Sequence, residues 1–128
     1  MKPITLEWIQ KAEADFATAQ RELKASDRPN YDGVCFHCQQ CAEKYLKAIL
    51  CEWDMRFGKI HDLVSLLEQI VELFPNLEDC REDLAYLSDF AVTFRYPGES
   101  ADQMTAEEAM GRCGKFRDAI HKVMRLDT

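Results

Sequence analysis

Four polar residues share one stripe of a helix predicted in the first half of the chain. At about 100° per residue they fall within an arc of roughly 80°, away from the apolar positions of that helix, and they are His37, Gln40, Lys44 and Lys47. An imidazole, an amide and two ammonium groups could together bind a phosphate or the edge of a nucleobase. The alternative is a solvated helix face on which Glu43 and Lys47 form an ordinary pair, and spacing alone favours that alternative.

A second candidate group stands where another predicted helix ends, at Arg95-Tyr96-Pro97. The planar guanidinium of Arg95 could pair with a phosphate, and Tyr96 could stack on a base or donate a hydrogen bond. The alternative is an arginine that interacts with the helix dipole beside a tyrosine that covers the core. Spacing alone again favours the alternative.

Histidine is the third candidate, as a general base. His61 opens a predicted helix just before Asp62, a position more typical of a surface or capping residue. His121 occupies an ordinary, surface-like position on the last predicted helix.

The cysteines Cys35, Cys38 and Cys41 have a spacing that is also found among metal ligands. On a continuous helix, however, their sulfurs fan around the cylinder in steps of about 60° and cannot converge on one ion. Free cysteine is commonly a small buried hydrophobe. We therefore predict buried free thiols, without zinc, an iron–sulfur cluster or another cofactor.

Helices must position these residues, because no stretch alternates with a period of two for long enough to form a strand. Apolar periodicity, caps and proline breaks predict five helices, at about 6–24, 31–53, 61–74, 77–94 and from 105 to the end. The prediction is an all-α, single antiparallel bundle, with an up-and-down four-helix core and an additional helix.

Caps and apolar faces are predicted from the same pattern. Thr5 is expected to cap the first helix, and Thr105 to cap the last one in a capping box with Glu108. The apolar faces predicted for the first two helices are Leu6, Ile9, Phe16 and Leu23, and Val34, Cys38, Tyr45, Ile49 and Trp53.

Composition limits the classes of function. The 128 residues suit a single domain, 1–128, and carry a formal charge of −7. Such a charge argues against indiscriminate binding to DNA or RNA, although it allows a locally basic pocket. We find neither a secretory signal nor a segment long enough to cross a bilayer, and six cysteines without a signal suggest reduced thiols. We therefore expect a cytoplasmic protein without a membrane or DNA partner.

Four motifs follow one another along nearly the whole chain: Trp8-x-x-Lys11-Ala12-Glu13-x-Asp15-x-x-x-Ala19, Tyr31-Asp32 followed by Phe36-His37-x-Gln39-Gln40-x-Ala42-Glu43-Lys44-x-x-Lys47-Ala48, His61-Asp62-Leu63 and Arg95-Tyr96-Pro97. A Thr-x-Glu-Glu-Ala start to the last helix comes after them. In this order they resemble the HEPN domain family, in particular prokaryotic members that are paired with a minimal nucleotidyltransferase.

The resemblance implies an antiparallel helical bundle that forms a homodimer, with a groove for nucleotides or RNA. It makes Gln40, Lys44, Lys47 and Arg95 look more like a binding site than a solvated face. It also implies a nucleotide- or RNA-binding protein that is the accessory or toxin-like partner of a separately encoded nucleotidyltransferase.

Many HEPN proteins are metal-independent endoribonucleases, often toxins of toxin–antitoxin pairs, with a catalytic pattern of Arg, four to six residues, then His. No His occupies that window after Arg95, which leaves catalytic activity open. Arg56 and His61 have the spacing but lie in a predicted loop. The alternatives are therefore a ribonuclease toxin that uses Arg95, Tyr96 and His61, and a helical dimerisation module without a ligand.

Overall fold

The computed structural model describes residues 1–126, which form five α-helices and two short 3₁₀ helices without a strand. The α-helices are α1 (Pro3–Leu23), α2 (Tyr31–Glu52), α3 (Leu63–Ile70), α4 (Arg81–Ser88) and α5 (Gln103–Met124). The 3₁₀ helices, Pro75–Cys80 and Asp89–Ala91, lie directly before and after α4. The predicted all-α bundle of five helices is confirmed.

Helix α2 lies at the centre, and each of the other four α-helices packs against it. Hydrogen bonds join α1 and α2 at both ends, from the Lys2 amide to Glu52 at 3.0 Å and from the Asn30 amide to Glu22 at 2.6 Å. The two helices are therefore antiparallel along their full length. More than half of the α2 residues are buried, polar ones included.

The first helix differs from the prediction in its start and in its buried face. It begins at Pro3, a residue whose fixed φ and missing N–H suit a first turn. Thr5 is therefore inside the helix, where its hydroxyl donates to Glu52 instead of capping. Leu6 is 45% exposed, so its assignment to the core was wrong. The buried stripe is instead formed by Thr5, Ile9, Ala12, Asp15 and Ala19.

The fourth predicted helix, at 77–94, is broken into a 3₁₀ helix, α4 and a second 3₁₀ helix. The third predicted helix, α3, ends at Ile70 and not at residue 74 as predicted. Pro75 starts the first 3₁₀ segment, and φ of 71° at Phe94 ends helical geometry before Arg95. A bulky side chain rarely adopts this left-handed conformation, so the turn that carries Arg95 is strained.

Two further predictions at helix ends were wrong. Helix α2 ends at Glu52 and leaves Trp53 54% exposed, because the chain turns away into a loop there. Helix α5 begins at Gln103, and its cap is the Asp102 carboxylate, which accepts from the Thr105 amide at 2.8 Å. Asp102 is as good a capping residue as Thr105 and lies further upstream, which makes the helix longer than predicted.

The thiols of Cys35, Cys38 and Cys41 are buried and free, as predicted. Burial raises the pKa of Cys35 to about 12. Across residues 1–126, no three His, Cys, Asp or Glu side chains are grouped as a metal site would require. Within the same range, every helix is too short or too polar to span a membrane.

Candidate functional site

His37 and Lys44 meet at one buried carboxylate, and these three residues are called here the Asp15 cluster. His37 Nδ1 lies 2.7 Å from Asp15 Oδ1, and Lys44 Nζ donates to Asp15 Oδ2 at 2.6 Å. The Asp15 side chain is 10% exposed, whereas those of His37 and Lys44 are 32% and 24% exposed. The carboxylate on α1 therefore holds two α2 side chains at the rim of the α1–α2 interface.

A second buried carboxylate organises the Glu43 cluster, which consists of Glu43, Lys47 and His61. Lys47 Nζ donates to Glu43 Oε2 at 2.9 Å, and His61 Nδ1 lies 3.0 Å from the same oxygen. The other oxygen accepts from Gln39 Nε2 at 2.9 Å. Burial opposes ionisation of Glu43, but the hydrogen bonds from Gln39, Lys47 and His61 outweigh it and lower the pKa of this carboxyl.

Lys47 is buried and does not belong to a solvated stripe. Its ammonium lies 5.8 Å from the ring centroid of Trp8 and 5.4 Å from that of Phe57. These rings, from α1 and from the loop after α2, cover the lysine and leave its side chain 7% exposed. The ammonium of Lys47 is therefore paired with Glu43 and covered from solvent. The side chain of His61, in contrast, is 64% exposed.

Gln40 is connected to the Glu43 cluster through its neighbour in the sequence. Its Nε2 donates to Gln39 Oε1 at 2.7 Å, and Gln39 Nε2 lies 3.3 Å from the carbonyl oxygen of His61. Gln39, Asp15 and Glu43 were not predicted as members of the site. The four-residue steps from Gln39 to Glu43 and on to Lys47 were the available signal.

Arg95 belongs to a third group, beside the first turns of α2. Its guanidinium carbon lies 5.7 Å from the ring centroid of Phe36, and Nη1 is 3.5 Å from the carbonyl oxygen of Ala91. The side chain borders a cavity of about 270 Å³ whose other residues are Asp32, Gly33, Phe36, Thr93 and Phe94. Tyr96 is 71% exposed and lines an adjoining depression.

The three groups lie along one side of α2 but do not coincide. Arg95 contacts Phe36 and His61 contacts Glu43, positions that are seven residues apart and hence separated by about 10 Å along the helix axis. No contact joins His61 to Arg95 or to Tyr96 in the described part of the chain. The structure thus places Arg95 and Tyr96 at one end of a polar face and His61 further along it.

The charges of this face balance. Three carboxylates, those of Asp15, Asp32 and Glu43, stand against three cations, which are Lys44, Lys47 and Arg95. With neutral histidines these six charges cancel, whereas the whole chain has a formal charge of −7. These six charges therefore put no net negative charge on the face that would repel an anion.

His121 differs from its predicted surface position. Only 4% of it is exposed, and its Nε2 lies 2.9 Å from the Tyr45 hydroxyl and 3.6 Å from Glu13 Oε2. This polar core cluster, between α1, α2 and α5, also includes Arg117, whose guanidinium donates to both oxygens of Glu13 at 2.7 Å.

Comparison with known proteins extends over nearly the whole chain. The family model described as "HEPN domain" matches residues 5–123. The structure is similar to that of TT1696 from Thermus thermophilus, with a TM-score of 0.79, 24% sequence identity, and coverage of 92% of this chain and 96% of that one. It is also similar to ST0689, an archaeal HEPN homologue, with a TM-score of 0.75, 22% identity, and coverage of 95% and 98%. No curated protein matches the sequence.

Proposed function

Because this chain belongs to the HEPN domain family, we propose that it binds a nucleotide or RNA along the polar side of α2. We propose further that it does so as a homodimer and as the accessory or toxin-like partner of a separately encoded nucleotidyltransferase. A short nucleotidyltransferase in the neighbouring reading frame would support this partner.

The observation that carries the binding proposal is the arrangement of accessible polar groups on one face. Arg95 is exposed, and within residues 1–126 its side chain makes one long hydrogen bond, to a backbone carbonyl oxygen. Gln40 and Lys44 remain partly accessible about one and two turns further along α2 from Phe36, on which Arg95 lies. A guanidinium, an amide and an ammonium in this order can bind a phosphate and the polar edge of a base.

A homodimer is supported by large exposed side chains in the segment around Arg95 and at the start of α5. Val92, Tyr96 and Met104 are 63%, 71% and 78% exposed, and all three lie within or beside the segment that leads into α5. Exposed apolar surface of this kind is typical of an interface.

We therefore expect sedimentation equilibrium at micromolar concentration to give twice the chain mass of 14.8 kDa. A mass that stays near 14.8 kDa across this range would contradict the dimer.

Removal of the Arg95 guanidinium should weaken ligand binding. Charge-assisted hydrogen bonds to a phosphate contribute about 1.5–3 kcal/mol each, so we expect Arg95→Ala to lose about tenfold or more in affinity. Binding by the wild-type protein should be weaker at high salt than at low salt. Calorimetric titration with mononucleotides and with a short RNA measures both effects.

Arg125→Ala is the matched control for this experiment. Arg125 follows the last turn of α5, about 33 Å along that helix from the end that lies beside the Arg95 segment. Equal affinities in folded wild type and Arg95→Ala would contradict the proposed site. Absence of binding in every protein would favour a dimerisation module without a ligand.

A metal-independent ribonuclease is the second candidate, and the geometry of His61 favours it. Glu43 holds Nδ1 of this ring while most of the side chain is exposed, which is an arrangement suited to a general base. Cleavage of RNA by the purified protein in the presence of a chelator, lost in His61→Asn, would support this candidate. RNA binding without cleavage would support the first candidate, a protein that binds a nucleotide or RNA without cutting it.

A further inference from the structure

Two of the three histidines of the chain are held in the same way on the proposed binding face. His37 and His61 each place Nδ1 against a buried carboxylate that also accepts from a lysine. His121, the third, is instead buried in the polar core cluster with Tyr45 and Glu13. The two carboxylates come from different helices, α1 and α2, so the repeated arrangement does not follow from the residue spacing of one helix.

A carboxylate on Nδ1 determines what the other ring nitrogen can do. Asp15 and Glu43 accept a hydrogen bond, so each fixes the N–H of the neutral imidazole at Nδ1. Nε2 is then an acceptor and cannot bind the unprotonated oxygens of a phosphate. When the ring gains a proton, Nε2 becomes a charged donor and binds such an oxygen strongly. Protonation therefore reverses the hydrogen-bonding character of the exposed nitrogen.

The charged neighbours of the two rings come from α1, from α2 and from the loop before α3. His37 faces Asp15 on α1, and Lys44 on α2 reaches the same carboxylate. His61 faces Glu43, which also pairs with Lys47. Asp62, next to His61 in the sequence, is a further carboxylate and accepts from Ser65 and Ser88, while the rings of Trp8 and Phe57 cover Lys47.

The net charge of the face depends on whether His37 and His61 are protonated. The three carboxylates and three cations counted above cancel, Asp62 beside His61 adds one negative charge, and two protonated rings add a charge of +2. Imidazole is the side chain that changes charge around neutral pH, where carboxylates and lysines do not. Protonation of both rings therefore outweighs the charge of Asp62 and makes this set of groups cationic.

We propose that protonation of His37 and His61 switches this face into a site for the phosphodiester groups of RNA, with Asp15 and Glu43 as positioning residues. The inference rests on the proposed function and names its regulation by pH. Phosphodiesters keep one negative charge throughout this range, so any pH dependence comes from the protein.

The test is the affinity of the full chain for a short single-stranded RNA at about pH 6 and about pH 8, at constant ionic strength. We expect binding to be about tenfold tighter at the lower pH. At about pH 7, calorimetry in two buffers of different ionisation enthalpy should show net proton uptake on binding. A purely structural role of the two rings would produce no such uptake.

The variants His37→Asn and His61→Asn keep a donor for the carboxylates but cannot titrate. The double variant should bind RNA with the weaker affinity at both pH values and without proton uptake. Equal wild-type affinity at both pH values, or pH dependence that survives in the double variant, would overturn the inference while the proposed function stands. Absence of RNA binding at both pH values would overturn the inference, and with it the RNA-binding part of the proposed function. If a variant does not fold, proton uptake by the wild type decides the question.

Discussion

Replacement of Glu43 by alanine should lower the free energy of unfolding by about 3–5 kcal/mol. Domains of this kind have total stabilities of about 5–15 kcal/mol, so the expected loss is large. The reason is the ammonium of Lys47, whose side chain is 7% exposed and which would lose its anionic partner while still covered by two aromatic rings. Gln39 and His61 would lose a hydrogen bond as well.

Thermal unfolding followed by circular dichroism measures this effect, and we expect the midpoint to fall by roughly 10–20 °C. The double variant Glu43→Leu with Lys47→Met is the control, because it removes both charges and fills the space. It should recover most of the loss, since a buried ion pair and an apolar pair of similar volume are often nearly equivalent.

Asp15→Ala provides a second comparison with the same chemistry at lower burial. Its partners His37 and Lys44 are 32% and 24% exposed and can turn to water when the carboxylate is removed. Its destabilisation should therefore be clearly smaller than that of Glu43→Ala. Equal losses in the two variants would contradict the argument that the covered ammonium of Lys47 causes the effect.

The number and the order of the helices could be predicted from the sequence, because apolar periodicity and proline breaks act locally. The buried face of α1 could not be predicted equally well. Periodicity selected Leu6, which is large and apolar but exposed. The close approach of α1 to α2 instead uses small residues, Ala12 and Ala19, which are fully buried. Which face meets the neighbouring helix is a tertiary property that the size of a side chain does not reveal.

The fourth predicted helix shows a second limit. Apolar residues three and four positions apart suit an α-helix and a 3₁₀ helix almost equally, so the pattern over 77–94 did not distinguish them. The break matters for the site, because the second 3₁₀ helix and the turn at Phe94 place Arg95 over Phe36. A continuous helix would have carried Arg95 in another direction.

The members of the candidate site were found by residue type and spacing, but their roles depend on contacts between distant residues. Lys47 was assigned to an accessible stripe, whereas Trp8 and Phe57 cover it. His121 was assigned to the surface, although it contacts Tyr45, which lies 76 positions away. Neither contact has a local signature, since each depends on how two helices or a loop and a helix are arranged in the fold.

Replacement of Arg117 by methionine should destabilise the protein by about 2 kcal/mol at neutral pH. The guanidinium of Arg117 donates to both oxygens of Glu13 at 2.7 Å and lies 4.9 Å from the ring centroid of Phe16. Methionine retains the apolar contact with the ring but removes both charge-assisted hydrogen bonds. The expected loss is moderate because 35% of the Glu13 side chain is exposed and solvent screens the pair.

The pH dependence of this loss follows from the pKa of Glu13. The hydrogen bond from Arg117, opposed by burial and aided by the Tyr45 hydroxyl, lowers this pKa from 4.5 to about 2. A depressed pKa in the folded state means that the stabilisation is fully present above about pH 4.5 and is lost as the pH falls towards 2. The difference between wild type and Arg117→Met should therefore be largest at neutral pH and shrink across this window.

Urea unfolding at neutral pH and at about pH 3 measures both differences. Arg81→Met is the matched control, because Arg81 pairs with both oxygens of Glu78 on the protein surface. Solvent screens that pair, so this variant should unfold nearly like the wild type at neutral pH. The free energies of unfolding of wild type and Arg117→Met could instead differ by the same amount at neutral and acidic pH. That result would contradict the assignment of the stabilisation to the pair of Arg117 with ionised Glu13. The stabilising role of Arg117 would then come from its packing on Phe16 and not from the ionised Glu13.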